Sequence, residues 1–367
     1  DAGKYDDLLV PHDAKIVDAD DNDVTKNYVI TYVPNTLTIN PVVDKVTVTI
    51  VGNTRTETYD GIEKTAEGYQ VMSISNPLYK ASDFEFTGKA SVSGTDADHY
   101  DMGLKASDFA NVSKNFENVE FIVTDGGLTI NPRKVTLTSA SDKKVYDGTP
   151  LTNSTVNVTD DGFATGEGAT YDVTGSQLNV DKSENTFTYT LNEGTKAKNY
   201  EIETEFGELE VTQLTDKVVV TIVGNTKTET YNGTEKTVTG YQVASISNSL
   251  YKESDFEYKA GKDVATETDA GKYMMGLAAE DFHNLNGNFE NVTFEVTNGW
   301  LEILPAAITI TAKDNTVEYD GKAHGEIGYD ATATVKNQTI ESVTIDGSKI
   351  DAGKYDDLLV PHDAKIV

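Results

Sequence analysis

The residues best suited to chemistry in this sequence are clustered acidic ones near its start. Asp18, Asp20 and Asn22 occupy alternate positions of one short segment. Carboxylate and amide oxygens at this spacing begin the calcium-binding loop of an EF-hand, but Asp23 stands where that loop needs Gly and Val29 where it needs Glu. The segment is therefore predicted to be a solvated acidic turn or, as the alternative, a weak calcium site formed by Asp18, Asp20 and Asn22.

Catalysis needs a convergent set of nucleophiles, acids and bases, and the sequence offers no such set. The chain has no Cys, which excludes thiolate chemistry, Cys-ligated zinc and disulfides. Apart from His12 and His362, its five His residues fall at unlike positions of the repeats described below, and no pair has metal-site spacing. A nucleophile elbow and a phosphate-binding Gly loop are also absent from the sequence. We therefore expect no catalytic residue, no cofactor other than that calcium, and no enzymatic activity.

The charge of the chain restricts its partners. It carries 61 Asp and Glu against 30 Lys and Arg, a formal net charge of -31. A polyanion of this strength cannot neutralise phosphates, so we expect neither a nucleic-acid partner nor an anionic membrane surface. Apolar runs stay well short of the roughly 20 residues that span a bilayer, and the start lacks a signal-peptide pattern. We expect an interior piece of a longer chain, without membrane insertion.

The elements that position these residues are repeated along the chain. The tripeptide Tyr-Asp/Asn-Gly recurs at spacings of 87, 85 and 88 residues. Asp-Gly and Asn-Gly tolerate positive φ and close tight turns, while the preceding Tyr is free to pack on a core. We predict equivalent structural turns in successive repeats, at Tyr59, Asp60 and Gly61; Tyr146, Asp147 and Gly148; Tyr231, Asn232 and Gly233; and Tyr319, Asp320 and Gly321.

A second mark, Asn followed by Tyr or Phe, precedes the closing strands of the repeats. It occurs at Asn27-Tyr28, Asn115-Phe116, Asn199-Tyr200 and Asn288-Phe289, and the repeats then close near Pro41, Pro132, Gln213 and Pro305. Two kinds of repeat alternate, because residues 44–86 and 216–258 align without gaps and residues 133–212 match neither closely. The predicted division is the second half of an A-type repeat (1–41), a B-type repeat (42–132), an A-type repeat (133–213), a B-type repeat (214–305) and the first part of an A-type repeat (306–367).

The two ends of the sequence are identical. Residues 1–17 recur without change as residues 351–367, which indicates a higher-order repeat of 350 residues. We expect one period of a continuous giant chain, and we expect residues 351–367 to make with residues 306–350 the contacts that residues 1–17 lack.

These marks resemble a known family. Val-Tyr-Asp-Gly-Thr-Pro-Leu-Thr (145–152), Asp-Ala-Gly-Lys-Tyr (269–273 and 351–355), Asn-Tyr-Glu-Ile (199–202) and the closing Gly-x-Leu-Thr-Ile-x-Pro are similar to MBG-type and related bacterial Ig-like tandem repeats of very large Gram-positive cell-surface proteins. The resemblance implies all-β units in an extracellular, wall-attached, adhesin-like protein. It carries over no binding residue.

The residues and the resemblance together favour one fold. Thr alternating with Val and Ile predicts half-buried strands. We expect an all-β chain of tandem Ig-like antiparallel β-sandwich units, about 85 to 90 residues each, stacked end to end as a rod. The alternative is a β-grasp-like unit with its helix over residues 105–113.

The expected function is that of a structural stalk or fibre region of a giant bacterial surface protein. Its expected partners are adjacent repeats of the same chain or neighbouring copies. Two alternatives stay open. Adhesive repeats would bind a host glycan or mucin, with Trp300 as the one aromatic residue worth testing as a sugar contact. A self-assembling fibre subunit would join its neighbours by split-domain complementation.

Overall fold

The computed structural model describes residues 1–332 and 335–367, and short β-strands make up almost all of its regular structure. Strands take up 48% of the chain, and no α-helix occurs in the described residues. Along Val46–Gly52 the Val and Ile side chains are buried while the intervening Thr side chains are half-buried. This period of two places one face of the strand in a core, and it confirms the predicted all-β class.

The strands of residues 1–132 are β1 (Gly3–Leu9), β2 (Asn35–Ile39), β3 (Val46–Gly52), β4 (Thr54–Thr58), β5 (Lys64–Glu67), β6 (Tyr69–Ile74), β7 (Phe84–Phe86), β8 (Ser91–Gly94), β9 (Asp98–Asp101), β10 (Phe109–Asn111), β11 (Val119–Thr124) and β12 (Gly127–Asn131). Those of residues 133–213 are β13 (Arg133–Ser139), β14 (Asp142–Val145), β15 (Val156–Asp160), β16 (Ala169–Val173), β17 (Asp181–Glu184), β18 (Phe187–Leu191), β19 (Tyr200–Glu205) and β20 (Glu208–Thr212).

The strands of residues 214–305 are β21 (Val218–Gly224), β22 (Thr226–Thr230), β23 (Lys236–Thr239), β24 (Tyr241–Ile246), β25 (Phe256–Tyr258), β26 (Val264–Glu267), β27 (Gly271–Met274), β28 (Phe282–Asn284), β29 (Val292–Thr297) and β30 (Trp300–Leu304). Beyond residue 305 they are β31 (Ile310–Ala312), β32 (Tyr329–Ala331), β33 (Ile340–Asp346) and β34 (Val360–Ile366). The helical segments are single 3-10 turns at Thr25–Asn27, Ala81–Asp83, Ala106–Asp108, Ala197–Asn199, Glu253–Asp255 and Ala279–Asp281.

The chain divides into two compact units. The first contains residues 1–141, 152–175 and 184–208, and the second contains residues 142–151, 176–183 and 209–367. This division passes through the A-type repeat predicted at residues 133–213. The predicted boundaries at Pro41, Pro132, Gln213 and Pro305 all lie between strands, and the division into five repeats stays a prediction.

Each B-type repeat contains two three-stranded sheets. In the second unit, β21 lies between β24 and β29, and β30 lies between β22 and β27. Ile222 of β21 and Leu301 and Ile303 of β30 are at most 1% exposed and belong to one apolar core. In the first unit, β3 lies between β6 and β11, and β12 lies between β4 and β9. The predicted Ig-like sandwich units are therefore confirmed.

The pairing within these sheets is mixed, which corrects the expectation of antiparallel sandwiches. β3 pairs in parallel with β11, and β4 pairs in parallel with β12. The same parallel pairs recur as β21 with β29 and β22 with β30. A parallel pair needs a long connection between its strands, and the residues between β4 and β11 supply it. The first two strands of each B-type repeat therefore pair in parallel with its last two.

The helix of the β-grasp alternative is not present. Over residues 105–113 the chain makes one 3-10 turn and then enters β10. The Asp108 carboxylate accepts the Lys105 backbone N–H at 3.0 Å and closes that single turn. Phe109, which is 5% exposed, then enters the core as the first residue of β10. A strand that pairs with β7 thus replaces the helix.

The identical end segments adopt two different pairings. In residues 1–17, β1 pairs with β2, whereas residues 10–16 form no strand. In residues 351–367, β34 pairs with β33, and residues 351–359 form no strand. The β33–β34 pair is the contact that residues 10–16 lack, which confirms the expectation for this segment. Whether the sequence is one period of a giant chain stays a prediction.

Our first prediction concerns the close approach of two glycines in the second B-type repeat. A Cβ on Gly224 would lie 2.3 Å from the backbone nitrogen of Gly299, whereas a Cβ on Gly287 would meet no atom within 4 Å. We expect Gly224→Ala to lower the free energy of unfolding by about 2 kcal/mol, the usual cost of overpacking against backbone. Urea denaturation should show no comparable loss for the control Gly287→Ala. Equal midpoints for the two variants would contradict this packing.

Candidate functional site at the junctions between repeats

The four Tyr-Asp/Asn-Gly turns share one local geometry. Their glycines have φ values of 80, 77, 71 and 75 degrees, in the left-handed region that favours Gly. In each turn the side-chain oxygen of the Asp or Asn accepts the backbone N–H two residues later. These bonds join Asp60 to Ile62, Asp147 to Thr149, Asn232 to Thr234 and Asp320 to Lys322.

The turn carboxylates are committed to structural partners. Lys64 Nζ lies 2.5 Å from Asp60, and Lys144 Nζ lies 2.8 Å from Asp147. Each ammonium holds the pKa of its Asp partner below the usual range, helped by the backbone N–H bonds of the turn. These bonds hold the turn in shape.

In the first unit, the Tyr of one turn packs against the aromatic residue of the following repeat. The rings of Tyr59 and Tyr200 lie 5.5 Å apart at 80 degrees, an edge-to-face pair. Both hydroxyls donate to the Glu167 carboxylate, that of Tyr200 at 2.7 Å. Tyr59 is 4% exposed and Tyr200 is 7% exposed. Burial, together with the bond to Glu167, raises the pKa of Tyr59 to about 12.

The second unit contains the same type of contact. Tyr146 and Phe289 form an edge-to-face pair with centroids 5.6 Å apart and planes at 74 degrees. Phe289 has no hydroxyl, so this pair lacks the shared carboxylate of the first. The Tyr of the turn and the aromatic residue after Asn, found as separate marks in the sequence, are therefore two halves of one contact.

The Asn of the second mark binds a loop of the preceding repeat. Asn199 Oδ1 accepts the Ala97 backbone N–H at 2.8 Å, and Asn199 Nδ2 donates to Asp96 Oδ1 at 3.1 Å. One amide thus satisfies one donor and one acceptor of the loop. The same two bonds join Asn288 to Val180 at 2.7 Å and Asn179 at 3.1 Å, and Asn115 to Ala2 at 2.5 Å and Asp1 at 3.2 Å.

Charged residues reinforce the first junction. Lys196 Nζ lies 2.8 Å from the Asp96 carboxylate, and Lys198 Nζ lies 3.4 Å from it. The hydrogen bond from Lys196 is the largest cause that lowers the pKa of Asp96 to about 2. Such partly exposed ion pairs contribute little free energy. The buried aromatic pair and the Asn amide are the main contacts of the junction.

The segment proposed for calcium forms a hydrogen-bonded turn. Asp18 Oδ1 accepts the backbone N–H groups of Asp20 and Asn22, each at 3.0 Å. The bond from Asn22 is the main reason that the pKa of Asp18 is lowered. Within residues 1–332 and 335–367 no group of three or more His, Cys, Asp or Glu is placed to hold a metal. Calcium binding at Asp18, Asp20 and Asn22 stays a prediction.

Trp300, the candidate sugar contact, is half-buried on β30. Lys272 Nζ lies 4.0 Å from its ring centroid, a cation–π contact that covers one ring face. Glycan or mucin binding stays a prediction.

Comparison with known proteins identifies two of the repeats. The MBG domain family matches residues 46–132 and 217–305, so the resemblance to tandem MBG-type repeats is confirmed. No curated protein matches the chain. Among the described residues, no helix has the length and apolar character that crossing a membrane requires.

Two solved structures are distant matches. The I9-I11 tandem from titin is 9% identical with a TM-score of 0.15, covering 71% of this chain and all of its own. The N-terminal eight Ig domains of Down Syndrome Cell Adhesion Molecule are 10% identical with a TM-score of 0.13, covering 88% of this chain and 49% of their own.

The buried tyrosine of the first junction makes our second prediction. We expect Tyr59→Ala to lower the free energy of unfolding by about 3 kcal/mol, because it removes a buried aromatic side chain and leaves a cavity. Tyr319 holds the same place in its turn but is 66% exposed. Chemical denaturation should therefore show a change within about 0.5 kcal/mol for Tyr319→Ala. Similar losses in both variants would contradict the junction.

The raised pKa of Tyr59 makes our third prediction. An unfolded Tyr ionises near pH 10, and Tyr59 ionises near 12 in the folded chain. Its neutral form is favoured by folding, so the stabilisation is complete below pH 10 and is lost as the pH rises through 12. We expect Tyr59→Phe to flatten part of the fall in melting temperature between pH 10 and 12. Parallel pH profiles for the variant and the native chain would contradict a contribution of Tyr59 ionisation to this loss of stability.

Proposed function

From two MBG domains in one chain of repeats, at residues 46–132 and 217–305, we propose that this chain is a structural stalk or fibre region of a giant repetitive bacterial surface protein. It is built from a 350-residue super-repeat, lies outside the cell, and is attached to a Gram-positive wall. MBG repeats are typical of extracellular surface proteins. The role is mechanical and non-catalytic.

The observation that supports this role is the parallel pairing of the first two strands with the last two strands in each MBG repeat. In the second unit, β21 pairs with β29 from Val218↔Val292 to Val223↔Thr297. β22 pairs with β30 from Thr226↔Trp300 to Thr230↔Leu304. The repeat is therefore entered at one end of its paired strands and left at the other. A pull on its two ends runs along the strands and loads these hydrogen bonds together in shear.

The junctions support the same role. In each compact unit an aromatic pair and an Asn amide join one repeat to the next. Tyr59 and Tyr200 are both buried, whereas in the second pair Phe289 is buried and Tyr146 is half-buried. Neighbouring repeats that share contacts gain stability from each other, as in other repeat proteins. The net charge of -31 opposes collapse and non-specific association.

Single-molecule pulling tests the mechanical role and makes our fourth prediction. The chain has no Cys, so two Cys substitutions define where the handles attach. Handles at Lys217→Cys and Pro305→Cys load β21 and β29 in shear. Handles at Lys217→Cys and Asn291→Cys pull neighbouring strand ends apart, which breaks the hydrogen bonds one after another. We expect a several-fold higher rupture force in the first geometry.

The second geometry uses the same repeat and serves as the matched control. Equal rupture forces in the two geometries would contradict the proposed role.

A further inference from the structure

One junction in the second unit has only part of its contacts. Tyr231 stands in its turn where Tyr59 and Tyr146 stand in theirs, and its hydroxyl accepts a hydrogen bond from Gln338 Nε2. In the complete junction the Tyr59 hydroxyl also has a polar partner in the next repeat, but there it donates, to Glu167. Tyr59 and Tyr146 each have an aromatic partner, whereas Tyr231 faces a groove of about 370 Å³.

The loop that would bind an Asn is already formed beside this groove. Tyr273 Oη donates to the Asp269 carbonyl at 3.1 Å, as Tyr100 Oη donates to the Asp96 carbonyl at 2.9 Å. Ala97, which donates to Asn199, is buried, whereas Ala270 is exposed and lines the groove. The loop therefore has the same Tyr–Asp hydrogen bond as the occupied loop, with its Ala exposed to the groove.

A strand edge beside the groove is also open. β13 has two neighbours, β15 and the parallel strand β19, which begins at Tyr200. β31 corresponds to β13 in the repeat that follows Tyr231. Within the described residues, β32 is the one strand paired with β31. In the described residues no strand is hydrogen-bonded to the side of β31 that corresponds to β19, although β34 lies close to β31. Such an unpaired edge can accept a parallel strand once β34 is displaced.

The matching segment lies near the start of the chain. Asn27-Tyr28 is the sequence mark of an A-type repeat, and residues 28–33 correspond to β19 but form no strand. Tyr28 is 58% exposed, Val29 99% and Val33 72%, whereas Tyr200 is 7% exposed. This apolar segment has the residue types of the occupied sites and no core of its own.

We propose that residues 27–33 of a second copy of this chain dock in the groove. Tyr28 of that copy packs against Tyr231 and reaches Gln338, as Tyr200 packs against Tyr59 and reaches Glu167. Asn27 accepts the Ala270 N–H and donates to Asp269. Residues 28–33 pair in parallel with residues 306–311, in the register that joins β19 to β13.

The 350-residue period supports a second copy as the occupant. Residues 27–33 of a following copy come next in the repeat order after residues 306–350, because residues 351–367 repeat residues 1–17. In the present chain β34 occupies the edge of β33 where residues 10–16 of that copy would pair. The overlap therefore competes for part of the interface, and its residue Ile366 also lines the groove.

The association of the purified chain provides our fifth prediction. We expect sedimentation velocity in about 0.15 M salt, which screens repulsion between the two acidic copies, to show concentration-dependent oligomers. Removing residues 351–367 should strengthen association, because the competing segment is gone. Tyr28→Ala should weaken it at least about tenfold, as expected for a buried aromatic anchor. Leu78→Ala is the control, since Leu78 is 72% exposed and lies outside the groove.

Cross-linking tests whether the Asn27 segment of one copy lies beside Ala270 of another. One batch carries Asn27→Cys and a second carries Ala270→Cys, so a mixed disulfide joins two different molecules. We expect this disulfide to form faster than that between Asn27→Cys and Leu78→Cys chains. Monomers at all concentrations, with and without residues 351–367, would overturn the proposal. So would association unaffected by Tyr28→Ala, or equal cross-linking rates.

The docking rests on the proposed function and names the partner of the repeat ends. An experiment that rejects the docking can be told apart from one that rejects the mechanical role. A monomeric chain that resists shear would remove the docking and leave the mechanical role.

Discussion

The contact between a turn tyrosine and the aromatic residue of the following repeat is the interaction on which this chain depends. It requires the turn glycine to adopt positive φ, so that the preceding Tyr is presented to the next repeat. It also requires the Asn amide to bind the Asp-Ala or Asn-Val loop, which sets the aromatic residue against that Tyr. Where both conditions are met, as at Tyr59 with Tyr200, the rings are buried. Tyr319, which has no aromatic partner, is 66% exposed.

The parallel pairing of the first two strands with the last two gives this contact its mechanical meaning. The Tyr turn follows the opening strands of a repeat, and its backbone is tied to the closing strand. Tyr59 N–H donates to the Asn131 carbonyl, and Tyr231 N–H donates to the Leu304 carbonyl. The junction therefore begins at the point where the strand pair ends. In the mechanical role proposed above, force reaching one repeat through its junction would enter the paired strands along their length.

The sequence predicts those features of the fold that depend on local chemistry. Asp-Gly and Asn-Gly signal positive φ directly, and the alternation of Thr with Val and Ile signals strands, so the turns and the all-β class could be predicted. The junction could not, because Tyr59 and Tyr200 are far apart in the chain and neither pattern states that they meet. No pattern in the sequence marks Glu167 as the shared hydrogen-bond acceptor of these two tyrosines. A better signal was available in the loops, since Asp96-Ala97 and Asp269-Ala270 are each followed three residues later by Tyr.

Strand direction was also hidden, because a period of two is the same in parallel and antiparallel sheets. The segment over residues 105–113 has the composition of a helix, but burial of Phe109 favours a strand.

A double-mutant cycle on Tyr59 and Tyr200 tests most directly whether neighbouring repeats are coupled through this contact. The free energy of unfolding would be measured for the native chain, for Tyr59→Ala, for Tyr200→Ala and for the double variant. A direct edge-to-face pair predicts that the double variant loses less stability than the sum of the single losses, by about 1 kcal/mol. Losses that add to within about 0.5 kcal/mol would mean that the two rings do not interact, and would contradict the account.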